Sequence, residues 1–171
     1  MAFKHIQTEF KDGVANLTLN RAPLNVLNIE MMEEINTYFE GLKKEKSLKL
    51  LVIQAAGKAF SAGVDVGEHL GDLVYKMIEA FHKIFRLMDA LKVPYIAVVN
   101  GSALGGGCEL AVYCEMVIAT EKAKFGQPEI QVGVFPPSAA LAFPRMMGRK
   151  KSLELILSGE VISAQEALSL G

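Results

Sequence analysis

Three glycines, Gly105, Gly106 and Gly107, run together, and a glutamate, Glu109, follows two positions later. Small residues leave backbone N–H groups uncovered, and the first turn of a helix carries N–H groups with no partner of its own. Phosphate is a common guest of such a turn. The P-loop pattern GxxxxGK[ST] is missing, however, and so is GxGxxG in this stretch. A carboxylate so close would also repel phosphate. Nucleophilic catalysis fits no better. GxSxG does not occur, and Ser61 in AFSAG lacks its first glycine. Cys108 has no histidine near it in sequence, and the adjacent Glu109 opposes its ionisation, so it reads as a small buried filler.

The remaining chemistry uses every part. N–H donors at a helix start stabilise an oxyanion that develops during reaction, and a glutamate beside them moves protons. The loop SAGVD (61–65) offers a second donor. Glu129 in GQPEI is a second carboxylate; its setting suits a solvated loop residue and a catalytic one equally. An oxyanion hole with two carboxylates, no nucleophile and no metal suits chemistry at an enolate. Thioesters are natural substrates, because their α-protons are acidic enough for carboxylate bases.

The elements that must position these groups alternate. VANLTLN (14–20) has the period of a strand and ends at a turn, RAPLN. IEMMEEINTYFEGLKKE (29–45) has the spacing of an amphipathic helix. LKLLVIQAA (48–56) is a buried strand that runs into GKAFSAG. A long helix spans 72–91, with Met77, Ile78, Phe81, Ile84, Phe85 and Met88 on its apolar stripe. VPYIAVVNG (93–101) is a second buried strand entering the glycines. CELAVYCEMV (108–117) turns from helix to strand, MVIAT is a short strand, and KFGQPEIQVG a loop. Two short helices follow, broken around Pro144 and Gly148, and SAQEALSLG (163–171) opens a last helix with a capping box from Ser163 to Glu166. LLVIQAAGKAFSAGVD and YIAVVNGSALGGGCEL are alike: strand, small-residue loop, helix start. The order predicts an α/β fold.

Bulk properties exclude several classes. The chain has 171 residues, enough for one domain with a real core. With 51% hydrophobic and 22% charged residues it is no disordered chain. The formal net charge of −1 and interspersed signs imply no nucleic-acid surface. His5, His69 and His82 are scattered and read as structural. Cys108 and Cys114 form no CxxC or Cys/His cluster, so no metal is expected, and two buried thiols suit a reducing compartment. No signal core, transit pattern or membrane-length apolar run appears, so a cytoplasmic protein with no membrane partner is expected.

Three motifs, AFSAGVD (59–65), AVVNGSALGGGCELA (97–111) and FGQPEIQVG (125–133), closely resemble the enoyl-CoA hydratase/isomerase (crotonase) family in order and spacing. The resemblance covers essentially the whole chain. It implies a spiral of repeated ββα units, acyl-CoA substrates and no cofactor beyond the coenzyme A of the substrate. By position it makes Val64 and Gly106 the two oxyanion donors. Glu109 and Glu129 align with the two glutamates of the family's hydratases, whereas its isomerases often keep only the second. It also places coenzyme A near Leu24, Ala62 and Asp65. Two other readings stay open: an enoyl-CoA isomerase, and a non-catalytic CoA-binding or RNA-associated homologue. The presence of both glutamates favours water addition.

The chain departs from the family pattern in two ways. Where PGxGGTxRL is usual, it has FPPSAALAFPRMMG (135–148), so Phe135 and Pro136 are expected to shape a different acyl pocket. With PLNVLN (23–28), this stretch resembles the cyclic dienoyl-CoA hydratases of anaerobic aromatic degradation, notably those acting on cyclohexa-1,5-diene-1-carbonyl-CoA. The chain also stops at SLG, where the family continues into C-terminal helices that cover the site and build trimers. The expectation is therefore a core domain over 1–171 without those helices, from a protein that is a homotrimer or dimer of trimers at full length.

Overall fold

The computed structural model describes residues 3–171. It opens with a hairpin of β1 (Ile6–Lys11) and β2 (Val14–Leu19), paired antiparallel. Asp12 and Gly13 join them with φ of 54° and 87°, as a tight two-residue turn requires. Helix α1 (Ile29–Leu42) follows, and the Asn28 side chain caps it by accepting from the Met31 N–H.

Three ββα units come next. They are β3 (Leu50–Ala55), β4 (Ala59–Ser61) and α2 (Leu73–Leu91); β5 (Tyr95–Val99), β6 (Ser102–Leu104) and α3 (Gly106–Val112); and β7 (Met116–Ala119), β8 (Lys124–Gly126) and α4 (Pro137–Ser158). Strand β9 (Val161–Ser163) and helix α5 (Ala164–Ser169) end the chain. The first strand of each unit joins a five-stranded sheet, β1-β2-β3-β5-β7; the second joins a four-stranded one, β4-β6-β8-β9. This is the α/β spiral of ββα units that the motifs imply.

The topology explains why distant motifs converge. Strands β4, β6 and β8 are neighbours and parallel, so their C-terminal ends share one edge. The loops leaving that edge hold Ala62–Asp65, Gly105 and Gln127–Glu129. Ligands of parallel sheets bind at such ends. Beneath lies the core. Leu17 and Leu19 of β2, Leu51 and Ile53 of β3, and Ala97 and Val99 of β5 alternate inward and are fully buried. Helices α1 and α2 pack on each other, and the Asn36 side chain of α1 donates to the Ala80 carbonyl of α2 at 3.0 Å.

Three sequence expectations change. Pro144 does not break α4; it lies inside the helix, and the interruption is at Gly148 alone, whose φ of 79° and ψ of 159° are not helical. KFGQPEIQVG is not one loop, but the short strand β8 followed by a 3-10 turn, Pro128–Val132. Ile78 is not core: it is 43% exposed, although its neighbour Met77 is buried. The capping box of α5 forms as read, with Ser163 accepting from the Glu166 N–H and the Glu166 carboxylate accepting from the Ser163 N–H.

Candidate active site

Each of the three glycines has its own neighbour. Gly105 adopts φ 52° and ψ −129°, and a methyl there would come within 2.8 Å of Glu129 Oε1. A methyl on Gly106 would meet Val64 Cγ2 at 2.6 Å, and one on Gly107 would meet Ser61 at 2.6 Å. The run therefore packs the start of α3 against both the 61–65 loop and Glu129. The Gly105 N–H donates to the Gly126 carbonyl at 2.9 Å and ties the third loop in.

Val64 and Gly106, the positions expected to donate, line one cavity of about 750 Å³. Among the described residues, no acceptor is paired with either N–H. For Val64 the cause is local pairing. It bridges Leu27 in parallel, and that bridge uses the Gly63 carbonyl (2.8 Å) and the Asp65 N–H (3.0 Å), so Val64's own N–H faces the other way. For Gly106 the cause is its place as the first residue of α3, where an N–H has no acceptor within the helix.

Glu109 and Glu129 line the same cavity. Glu109 is 3% exposed, and its Oε1 accepts from the N–H groups of Ser138 (2.8 Å) and Ala139 (2.9 Å) at the start of α4. Burial raises its pKa, and these two donors pull it back down. Glu129 leads the first turn after β8 and is half-buried. Its pKa is raised to about 7, chiefly by burial; its own backbone N–H opposes the rise and the charge of Glu109 adds to it. Cys108 is 1% exposed, and burial pushes its thiol up to about 12, so it is no nucleophile at neutral pH.

The other expected positions divide. Ala62, Phe135 and Pro136 line the cavity; Leu24 and Asp65 do not. Leu24 sits beside it, its carbonyl accepting from the Ala62 N–H at 3.0 Å. Asp65 caps the following 3-10 turn, Val66–His69, by accepting from the Gly67 N–H, and lies 3.8 Å from Arg21. Sequence reasoning missed Ile78, His69 and His82, which also line the cavity. For Ile78 the signal was an apolar residue at the edge of the α2 stripe. His5, by contrast, is structural, bonded to Glu30 at 2.8 Å. Among the described residues no three His, Cys, Asp or Glu side chains cluster as metal ligands would, and no helix is long and apolar enough to cross a membrane.

The comparisons with known proteins give the family. The enoyl-CoA hydratase/isomerase family profile matches residues 9–171. The chain belongs to this family. Crotonyl-CoA hydratase of Syntrophomonas wolfei is 37% identical over 177 residues, covering 100% of this chain and 68% of that protein. A probable enoyl-CoA hydratase of Rhizobium meliloti is 38% identical over 170 residues, covering 98% and 66%. The crystal structure of an enoyl-CoA hydratase from Mycobacterium smegmatis superposes with a TM-score of 0.91 at 33% identity, covering 98% of this chain and 68% of that one. The crotonase chain here thus spans about two thirds of the length of these relatives.

The raised Glu129 has a consequence for stability. An unfolded glutamate titrates near 4.5 and the folded Glu129 near 7, so the fold holds an extra proton between those values. The stabilisation is full below about pH 4.5 and is lost as pH rises through about 7. Glu109 is shifted in the same direction. Because Glu129 is partly open to solvent, the Glu129 contribution is expected to be on the order of 1–2 kcal/mol. Urea unfolding of the protein and of Glu129→Gln at pH 4.5 and pH 8 checks this. The variant should gain on the native protein as pH rises, and a constant difference between them contradicts the shift.

Proposed function

We propose that this chain carries the active site of an acyl-CoA hydratase, which adds water across the double bond of an α,β-unsaturated acyl-CoA thioester. The observation that carries the reading is two unpaired N–H groups, of Val64 and Gly106, in one cavity with two carboxylates of differing environment. Burial raises both carboxyls, and the two N–H groups of α4 that Glu109 accepts from favour its charged form, which suits Glu109 as the base and Glu129 as the acid.

In this reading the thioester oxygen sits between the Val64 and Gly106 N–H groups. Glu109 takes a proton from water as the oxygen bonds to the unsaturated carbon. The π electrons move onto the thioester oxygen, and the two N–H groups stabilise the enolate. Glu129, protonated near neutral pH, returns a proton to carbon as the carbonyl re-forms. Its shift to about 7 suits a group that gives and regains a proton at that pH. Coenzyme A belongs to the substrate and lies along the turn at Leu24, Ala62 and Asp65. The name of the Syntrophomonas wolfei relative, crotonyl-CoA hydratase, supports water addition. A cytoplasmic homotrimer, or dimer of trimers, is the assembly proposed for the full-length enzyme.

The acyl group proposed is compact and cyclic, as in cyclohexa-1,5-diene-1-carbonyl-CoA. Phe135 and Pro136 line the cavity, and Pro137 begins α4 directly behind them. Two consecutive prolines fix φ and stiffen this wall. A stiff wall favours a rigid ring, which loses little freedom on binding. The test is kcat/KM for cyclohexa-1,5-diene-1-carbonyl-CoA, crotonyl-CoA and a long-chain enoyl-CoA, with product analysis. Hydration with preference for the ring is expected. Best turnover of the long chain overturns the cyclic substrate, and isomerisation without water addition overturns the hydratase.

A further inference from the structure

Two histidines, His69 and His82, line the cavity and take no part in the water addition proposed above. They differ in their pairing. His69 Nδ1 lies 3.2 Å from the Asp65 carbonyl, which can only accept, so Nδ1 carries the proton and donates. The His82 side chain has no hydrogen-bond partner among the described residues. Its charged neighbours on α2 are engaged elsewhere: Glu79 is bound to Arg86, and Lys83 to Glu40 at 2.7 Å. Helix α2 gives the cavity Val74, Met77, Ile78, Phe81 and His82. Val74, Ile78 and His82 stand four apart, in one row of the helix face. His82 alone of the five is polar, and Phe135 and Pro136 extend the apolar lining. An unpaired, half-buried imidazole therefore stands in the apolar part of the cavity.

We infer that His82 selects the acyl group, its imidazole pairing with a hydroxyl that the acyl group carries away from the thioester. This rests on the reading of the cavity as an acyl-CoA site, and it narrows the compact ring of that reading to one better bound with a hydroxyl than without. The reason is displacement. In the free protein the half-buried ring is open to water. An acyl group that fills the cavity expels that water, and a plain hydrocarbon leaves the nitrogens unpaired at a cost. A site with a polar group placed for a substrate hydroxyl rejects the analogue that lacks it for this reason. A hydroxyl both donates and accepts, so it pairs with either tautomer of the imidazole. A carboxylate in its place is disfavoured, because Glu109 and Glu129 line the same cavity and oppose a further negative charge.

The test uses saturated thioesters, which have no double bond to hydrate: cyclohexane-1-carbonyl-CoA and its 3-hydroxy and 4-hydroxy derivatives. Calorimetric titration of the native protein should find one hydroxy isomer bound about tenfold tighter than the plain ring, the scale of one neutral hydrogen bond. His82→Phe keeps a flat ring without nitrogens. It should bind that isomer and the plain ring equally, with the plain ring held at least as well as by the native protein. A general loss of packing would weaken all three ligands together and leave their ratio unchanged. No preference in the native protein, or a preference that survives in folded His82→Phe, overturns the assignment. If that variant does not fold, the native protein still decides. The chain has three histidines, so His5→Gln and His69→Gln assign the His82 imidazole ¹⁵N signals by elimination. Those signals should move further with the preferred hydroxy isomer than with the plain ring, and equal movement overturns the assignment. None of these measurements needs turnover. A protein that shows the preference but hydrates no thioester refutes the hydratase and leaves His82 in its role, whereas binding of all three rings without preference refutes the role of His82 and leaves the hydratase standing.

Discussion

Replacing Glu109 with glutamine is expected to slow water addition roughly 10²–10⁴-fold, the usual scale for a positioned acid or base. The substitution is well suited to the test because of how Glu109 is held. Its Oε1 accepts from the N–H groups of Ser138 and Ala139, and a glutamine oxygen can accept both. The anchor to α4 survives, and the fold with it. The other oxygen becomes an amide nitrogen, which cannot take a proton from water. Glu129→Gln should cost a similar factor by removing the proton returned to carbon. The two variants together separate the family's reactions. A hydratase loses activity with either. An isomerase, which shuttles one proton, would lose activity with Glu129→Gln and keep it with Glu109→Gln. Near-normal hydration by Glu109→Gln sinks its role as base.

The long elements and the site motifs were legible in the sequence, for different reasons. Helices α1 and α2 announce themselves by apolar spacing, and β2, β3 and β5 by alternation or apolar runs. Strand β1 was silent, since Ile6 alone among its six residues is buried. Strands β4, β6, β8 and β9 have three residues each, too few for any period to show. Yet β4, β6 and β8 carry the site, because their parallel ends bring residues 62–65, 105–106 and 127–129 together. That convergence was read from the motifs, not from periodicity. Gln127 was hidden in plain view within GQPEI: a polar residue in a loop reads as solvated, and only the fold shows that it has no water to reach. Pro144 misled in the opposite sense. A proline inside a helix usually breaks it, but here the backbone departs from helical values only at Gly148.

Gly106→Pro should lower kcat by roughly 10²–10³-fold, the scale for loss of one oxyanion donor. The position tests the donor itself. Gly106 is the first residue of α3, where its N–H has no acceptor in the helix and where proline is the residue best tolerated. The substitution removes the N–H and adds bulk, and the bulk needs its own control. A methyl at Gly106 comes within 2.6 Å of Val64 Cγ2 and 3.1 Å of Phe81 Cζ, so Gly106→Ala should lower the melting temperature while keeping the N–H. The comparison that matters is therefore proline against alanine, both in the folded state. Proline should be at least tenfold slower than alanine in kcat, with KM for the thioester changed far less. The reason is that the donor acts on charge present in the transition state and only weakly on the neutral carbonyl. A difference confined to KM would make Gly106 a binding contact. Equal kcat values would mean that the Gly106 N–H does not face the developing oxyanion, and Val64 would then lack the second donor that a two-point hole requires.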